Sequence, residues 1–448
     1  MCCRDWVIGN RWIAAIAGLM LVLGLAATTG RIVVQYQTPG PFNHDAQGLC
    51  DFHNGIYFPT RAVLAGESPY SAEYAAKYPV ARQIPFFSPV ILLLHAPLAV
   101  LPLHLAEALN WILQLAMMAC LAVLTADAAG LAKRVDSVLV CAALMVFSRA
   151  GHITLFNGYF TFQLVLLTWL AIHWAIDRPT RSAWCLFIVS AKPTYILPLG
   201  LLMLARGNVR ALVYGAIISI AGAALTLGWL AYHEGGGDLG NGVMLLKDQI
   251  INTQAVHRSM EDESPVFSWT RLDLFAIITK WRGEDPGDLP HLLSMLGLLI
   301  LPMAVIVRWR QAGREDGLGG MTGALILTAM LVSLYHQSYD SMILAPPIAA
   351  ILIAHRRIWR NQSLWVRWIL AGLLAFPAMN YLSTRMFLLR FGVAEQWVRV
   401  FTSLNGIALA IGLVMLCWIG WSTARAMQAR GDDRHGEMDR ARSAEQPA

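Results

Sequence analysis

Two carboxylates, Asp45 and Asp51, stand in the interval HDAQGLCDFHNGIYFPTRAVLAGESPY, residues 44–70, between a membrane-length apolar segment and a longer apolar tract. A carboxylate just past a membrane crossing could take the proton of an incoming hydroxyl while a lipid-borne group departs beside it, which is general-base chemistry. Asp51 is the stronger candidate, because Phe52, Tyr57 and Phe58 follow it and could hold it near the interface or stack on a sugar ring; Asp45 is the alternative. The plainer reading is that either residue is solvated or caps a helix beginning near Asn54.

Further residues could meet an anionic leaving group. Lys192 lies inside an apolar run, and Pro193 interrupts the helix beside it. An ammonium in such a place costs about 2.5–3.5 kcal/mol and usually faces a cavity or a partner. Snorkelling is the other account of such a lysine. His336 and Asp340 in YHQSYD share one face if the segment is helical, a spacing suited to sugar hydroxyls, a phosphate or a divalent cation. Two ligands are few for a hard cation, so a metal is unsupported and no cofactor is expected. Arg258 and Arg271 could hold phosphate or simply face anionic headgroups. The seven cysteines form no CxxC pair and suggest neither a disulfide framework nor a metal site.

The elements that must position these residues are membrane helices. Of 448 residues, 57% are hydrophobic and 14% charged. Apolar runs near the ~20-residue bilayer length recur along the chain. The formal charge of +6 gathers in short connections and the tail, which reads as membrane topology and excludes a nucleic-acid groove. The first span is Trp12 to Gly30, preceded by Arg4 and Arg11, so the N-terminus is expected inside and the Asp51 loop (35–85) outside. Segments 210–231, 291–307, 318–335, 341–354, 365–382 and 398–421 alternate to leave the Arg-rich tail inside and a large loop, 232–290, outside.

Segments 86–103, 105–126, 137–150, 153–176 and 184–204 complete twelve crossings if all are full spans. If 86–103 and 184–204, both broken by proline, are re-entrant, then Lys133, Arg134, Arg178 and Arg181 fall inside as the charge bias prefers. The expected architecture is one all-α integral membrane domain over residues 1–424, with about 10–12 transmembrane helices. A disordered cytoplasmic tail, 425–448, is expected to follow it. In the large loop HEGGGDLGNG reads as flexible. Phe267, Leu272, Phe275 and Ile278 read as one face of an interfacial amphipathic helix.

The order of short motifs adds a resemblance. Asp51-Phe52, Tyr57, Ala65-Gly66-Glu67-Ser68-Pro69-Tyr70, Tyr78-Pro79, Ala96-Pro97-Leu98 and Leu101-Pro102 are followed by Asn157-Gly158-Tyr159-Phe160-Thr161 and Ala191-Lys192-Pro193. Ser264-Pro265-Val266-Phe267, His336 and Tyr339-Asp340 complete the series. This set, over residues 45–340, resembles glycosyltransferase family 87, whose members carry the C-type membrane glycosyltransferase fold and use polyprenyl-phosphate sugars. The resemblance implies Asp51 as catalytic base, supports a donor-phosphate contact at Lys192, and gives the Gly66–Tyr70 turn a part in shaping the site; His336, Asp340, Tyr57, Tyr70, Asn157, Arg258 and Arg271 are the further candidate donor-phosphate or substrate contacts.

It also implies inversion of a β-linked hexose, mannose-type, to an α-linkage on a lipid-linked or glycan acceptor of the cell envelope. The active site would then face the periplasm from a bacterial inner membrane. Phe156 stands where the family often has Gln, and Val80 where it has a second proline. These departures bear on the sugar and leave the reaction class standing. The competing class is a transporter or lipid-linked-sugar flippase, which would show paired repeats and charged residues within spans around a midplane site.

Overall fold

The computed structural model describes residues 9–43, 45–84, 89–260, 263–268, 270–313, 316–383 and 385–444. Arg4, His44 and the first three residues of segment 86–103 lie outside the described residues. Within them the molecule is helical and forms no extended strand ladder, only two isolated bridges.

Among the described residues five helices are by themselves long and apolar enough to cross a bilayer: α1 (Arg11–Val34), α2 (Leu103–Ala128), α8 (Val209–Glu234), α11 (Asp288–Gln311) and the Gln396–Gln428 part of α15 (Glu395–Ala444). A sixth apolar stretch of that length is a bent pair of helices. α3 (Val135–Phe147) turns by 70° at Ser148 into α4 (Arg149–Asn157), and Ser148 caps the new helix by accepting from the Gly151 amide. The shorter apolar helices are α5 (Thr161–Trp174), α7 (Pro193–Arg206), α12 (Met321–Ser333), α13 (Ala345–Ile353) and α14 (Leu364–Met379), the last with an outward face of exposed Trp365, Trp368 and Ile369. Every residue of α12 is buried, whereas the outward face of α1 keeps Leu19, Val22 and Leu23 exposed. That contrast is what a core helix and a lipid-facing helix should show.

Between α5 and α7 lies α6 (Pro179–Val189), and α6 with α7 forms a hairpin. Ser182 at the start of α6 donates to the Ala171 carbonyl at 2.7 Å, and Arg206 at the end of α7 donates to the neighbouring Ile172 carbonyl at 2.7 Å. Both feet thus stand at one end of α5, and the tip, Ser190–Lys192, points the other way. Segment 184–204 is therefore the re-entrant alternative. Pro193 opens α7 at its start, where a missing N–H is harmless. Segment 86–103 is not a crossing either, since its described part holds only the short helices Val90–Leu94 and Ala96–Ala99.

Three further expectations are corrected. The stripe from Phe267 to Ile278 is not one helical face: α10 (Leu274–Arg282) begins only after the Asp273 cap, Leu272 and Phe275 are buried, and Phe267 and Ile278 are exposed. The long helix of the 232–290 loop is α9 (Leu239–Ser259), which starts inside the glycine-rich stretch that reads as flexible, because Asp238 accepts from the Gly240 and Asn241 amides. A Cβ on Gly242 would lie 1.7 Å from the Ala231 carbonyl oxygen, so that glycine lets α9 fold back onto α8. The polar tail is helical to Ala444, in keeping with its Ala, Arg, Glu and Met content.

Candidate active site

Asp51 lies in a helical stretch assembled from Cys50–Phe52, a π-turn His53–Tyr57 and a further helix Phe58–Leu64. Leu49, in a left-handed conformation, turns the chain into this stretch, and its amide donates to the Phe156 carbonyl at the end of α4. π-turns of this kind occur frequently at functional sites. The stretch is tied to α2 by Glu107, which accepts from Tyr36 Oη at 2.6 Å and lies 2.6 Å from His53 Nε2 and 2.9 Å from His104 Nδ1.

The Asp51 carboxylate is buried and held by three donors, two of them nitrogens. Arg82 Nη2 donates to Oδ1 at 2.8 Å and Asn157 Nδ2 to Oδ2 at 2.9 Å. Arg82 is delivered by an extended segment pinned to the same helical stretch, the Ala81 amide donating to Asn54 Oδ1 at 2.8 Å. Asn157 is delivered by the end of α4, where Gly158 at φ +74° closes the helix in the left-handed conformation that suits glycine. A Cβ on Gly158 would lie 3.0 Å from Phe52 Cβ, so the Asn157-Gly158 pair is what allows this close approach. Cys50 Sγ, 3.7 Å from Oδ1, is the third and weakest donor; of about four lone-pair directions on a carboxylate, one remains for a substrate hydroxyl. Beside Arg82 opens a cavity of about 250 Å³ between the first outer loop and α9, lined by Ala75, Arg82, Gln83, Thr253 and Met260 among others.

At the tip of the hairpin, Lys192 Nζ lies 3.1 and 3.2 Å from the two oxygens of Asp340. Asp340 also accepts from Tyr195 Oη at 2.7 Å and from the Gln337 amide at 3.0 Å. The ammonium stands 4.8 Å from the Tyr195 ring centroid and 5.6 Å from that of Tyr339. The Asp340 side chain is wholly enclosed and that of Lys192 is 14% accessible, so the ammonium is the open side of the pair. His336 does not share a helical face with Asp340 as expected. It precedes the 3₁₀ helix Ser338–Leu344, which Gln337 and Asp340 cap reciprocally. The His336 ring lies against Tyr195, its Nδ1 hydrogen-bonds the Leu334 carbonyl at 2.9 Å, and its buried Nε2 has no hydrogen-bond partner. Burial pushes its pKa down to about 4, keeping the ring neutral with that nitrogen an acceptor.

Tyr159, just past Gly158, packs against the Asp51 stretch: a Cβ on Gly55 would lie 2.9 Å from its ring.

Glu263 is joined to the Asp340 cluster through Gln337: it accepts from Gln337 Nε2 at 2.9 Å and from Tyr335 Oη. Burial alone would raise its pKa, but the hydrogen bond and charge of His257, the charge of Arg82 and the Tyr335 hydroxyl hold it down at about 2. The stabilisation is present above the unfolded value of about 4.3 and lost as pH falls toward the folded one. The melting temperature of the detergent-purified protein is therefore expected to fall from pH 5 to pH 3, and Glu263→Gln should flatten part of that slope.

Other expected contacts lie elsewhere or are already engaged. Tyr57 is buried and donates to the Leu101 carbonyl at 2.7 Å, and Phe52 and Phe58 are also buried, so these three rings pack the core and do not stack on a sugar. Tyr70 is buried, its carbonyl accepting from Thr253 at 3.3 Å. The turn before it is a latch: the Ser68 amide donates to Glu234 at 3.0 Å and Ser68 Oγ to Gln249 at 2.6 Å, joining the first loop to α8 and α9. Arg271 is buried in a two-pronged pair with Asp273 at 3.0 and 3.1 Å, and Arg258 is paired with Asp285 and Asp288 at the loop surface. Neither is a spare phosphate ligand. Asp45 is exposed, outside the enclosed cluster.

Among the described residues no three His, Cys, Asp or Glu side chains gather as a metal would require. Arg82, Tyr159, Tyr195 and Glu263 join the site although residue type and spacing do not single them out. Tyr159 and Tyr195 at least lie in or beside recognised motifs; Arg82 and Glu263 carry no periodic signal.

The profile of glycosyltransferase family 87 matches residues 86–334, more than half of the chain. The chain belongs to glycosyltransferase family 87. No curated protein and no solved structure matches it. The family 87 match covers Asn157, Tyr159, Lys192 and Glu263 but begins after Asp51 and ends before His336, so the roles of those two rest on geometry. With its apolar helices, membership makes the protein an integral membrane glycosyltransferase that joins a sugar donor to an acceptor.

Proposed function

We propose that the protein moves a hexose, of mannose type, from a polyprenyl-phosphate sugar to a lipid-linked or cell-envelope acceptor. The reaction takes place on the outer face of a bacterial plasma membrane. What supports this reading is a buried carboxylate, Asp51, oriented by Arg82 and Asn157, together with an ammonium, Lys192, that remains partly accessible beside the enclosed Asp340, in a chain of a glycosyltransferase family.

In the proposed step the acceptor hydroxyl gives its proton to Asp51 while its oxygen bonds to the anomeric carbon. The bond from that carbon to the phosphate oxygen breaks, and polyprenyl phosphate leaves with the electron pair. One base and direct displacement invert the configuration. Arg82 and Asn157 fix the orientation of Asp51. The third N–H of Lys192, not needed by the two Asp340 oxygens, meets the phosphate as its charge grows. His336 Nε2 accepts from a sugar hydroxyl.

The direct test is transfer by the purified protein in vesicles, comparing a labelled polyprenyl-phosphate hexose with the matching nucleotide sugar. Label should reach a lipid-extractable or glycan acceptor only from the polyprenyl donor. Transfer from the nucleotide sugar, or movement of intact donor across the vesicle without transfer, would overturn the reading.

A further inference from the structure

The proposed step gives no part to a row of buried polar side chains on α2. Glu107, Asn110 and Gln114 are all buried. At 3.6 residues per turn they lie within about 60° of one another around the helix axis and about 10 Å from end to end. The other side of the same helix is apolar, with Leu105, Leu109 and Ile112 exposed. A carboxylate and two amides buried along a membrane-length helix are expensive unless they have partners.

Their partners are the two segments that meet at Asp51. Glu107 Oε1 lies 2.6 Å from His53 Nε2, and His53 stands two positions after Asp51. The same oxygen accepts from Tyr36 Oη, just past α1, at 2.6 Å. Asn110 Nδ2 donates to the Gly158 carbonyl at 3.1 Å and Gln114 Nε2 to the Tyr159 carbonyl at 2.7 Å, on the two residues that follow Asn157. The bond from Asn157 Nδ2 to Asp51 Oδ2, 2.9 Å long, therefore joins two segments that are each hung from one face of α2. On the side preceding both residues the segments are tied directly, the Leu49 amide donating to the Phe156 carbonyl at 2.8 Å. On the side following them, α2 supplies the anchor for each.

We propose that Glu107, Asn110 and Gln114 are positioning residues for the transfer step, setting the place of Asp51 relative to Asn157. The role rests on the reading of Asp51 as the base. It operates through Asp51 and Asn157 and needs no contact with sugar or phosphate. A displacement of about 1 Å at a reacting group can cost about 10²-fold in rate, so loss of one such anchor should tell mainly on turnover.

The test measures transfer of label from polyprenyl-phosphate mannose by the full-length protein in vesicles, together with its melting temperature in detergent. Gln114→Met and Asn110→Leu each remove one carbonyl anchor and fill the same space, while the other anchor and the bond from Leu49 to Phe156 remain to keep the fold. Each should lower kcat by about 10- to 10²-fold, with donor KM and melting temperature near those of the parent. Asn157→Ala should also lower kcat, and in the Asn157→Ala protein neither substitution should lower it further, because the group they place is gone. Partial unfolding would instead reduce turnover again in any background. Glu107→Gln keeps an oxygen for His53 and Tyr36 and should retain most of the turnover that Glu107→Leu loses. Parent kcat in both Gln114→Met and Asn110→Leu, undiminished losses in the Asn157→Ala background, or Glu107→Gln as slow as Glu107→Leu would overturn the positioning role alone. Full turnover in Asp51→Asn would overturn the reading of the base and the role with it, so the two failures are distinguishable.

Discussion

Asp51→Asn is expected to leave a folded membrane protein whose transfer rate from a polyprenyl-phosphate sugar is lower by about 10²- to 10⁴-fold, the range supplied by a general base. The amide keeps an oxygen to accept from Asn157 or Arg82, so the pocket retains its shape. Arg82, 19% accessible at its side chain, can turn toward water when its charged partner is removed. What disappears is the capacity to take a proton. A drop in kcat with little change in donor KM would mark Asp51 as the base. Asp51→Ala should behave alike. Full turnover in both would transfer the role to another group and return transport, or Asp45, to consideration.

The second large effect is expected at Lys192. Removing one donor that stabilises developing negative charge commonly reduces turnover by about 10²–10³-fold, and Lys192→Met should do so while raising donor KM. The substitution also strands Asp340, whose carboxylate is wholly enclosed. Breaking a buried ion pair from one side costs about 3–5 kcal/mol, so the single variant could lose activity through instability alone. Lys192→Met combined with Asp340→Asn removes both charges, and Tyr195 and the Gln337 amide can still satisfy the remaining carbonyl. If the double variant melts near the parent temperature yet stays inactive, Lys192 acts on the donor. If it recovers full activity, the lysine serves only to neutralise Asp340.

Much of this site can be read from residue types and their order. Asp51 and Asn157, and Lys192 and Asp340, are all candidates on those grounds, and the fold joins each pair by direct hydrogen bonds across 106 and 148 positions of chain. Repeated apolar runs likewise declare a helical membrane domain, and prolines around Lys192 flag the segment that folds back. Partnership is less legible. Arg271 looks available although its neutralising Asp273 stands two positions away, because sequence proximity does not say whether two side chains turn toward each other. Arg258 is paired with carboxylates 27 and 30 positions downstream. Arg82 and Glu263 occupy irregular segments, where no helical or strand period marks a position as facing a pocket. The apolar spacing from Phe267 to Ile278 mimics an amphipathic helix, but Asp273 caps a shorter one, and the local hydrogen bonds overrule the periodicity.

The hairpin that carries Lys192 has arms of 11 and 14 residues. Their lengths are roughly 16 Å and roughly 21 Å. The hydrocarbon layer around them is about 30 Å thick. A hairpin of this length does not cross the layer. Under the proposed reaction with a lipid-borne donor and a lipid-linked acceptor, occupancy of the site would follow the mole fraction of each reactant within the bilayer, so doubling the surrounding lipid at constant bulk amounts would dilute both partners of the encounter.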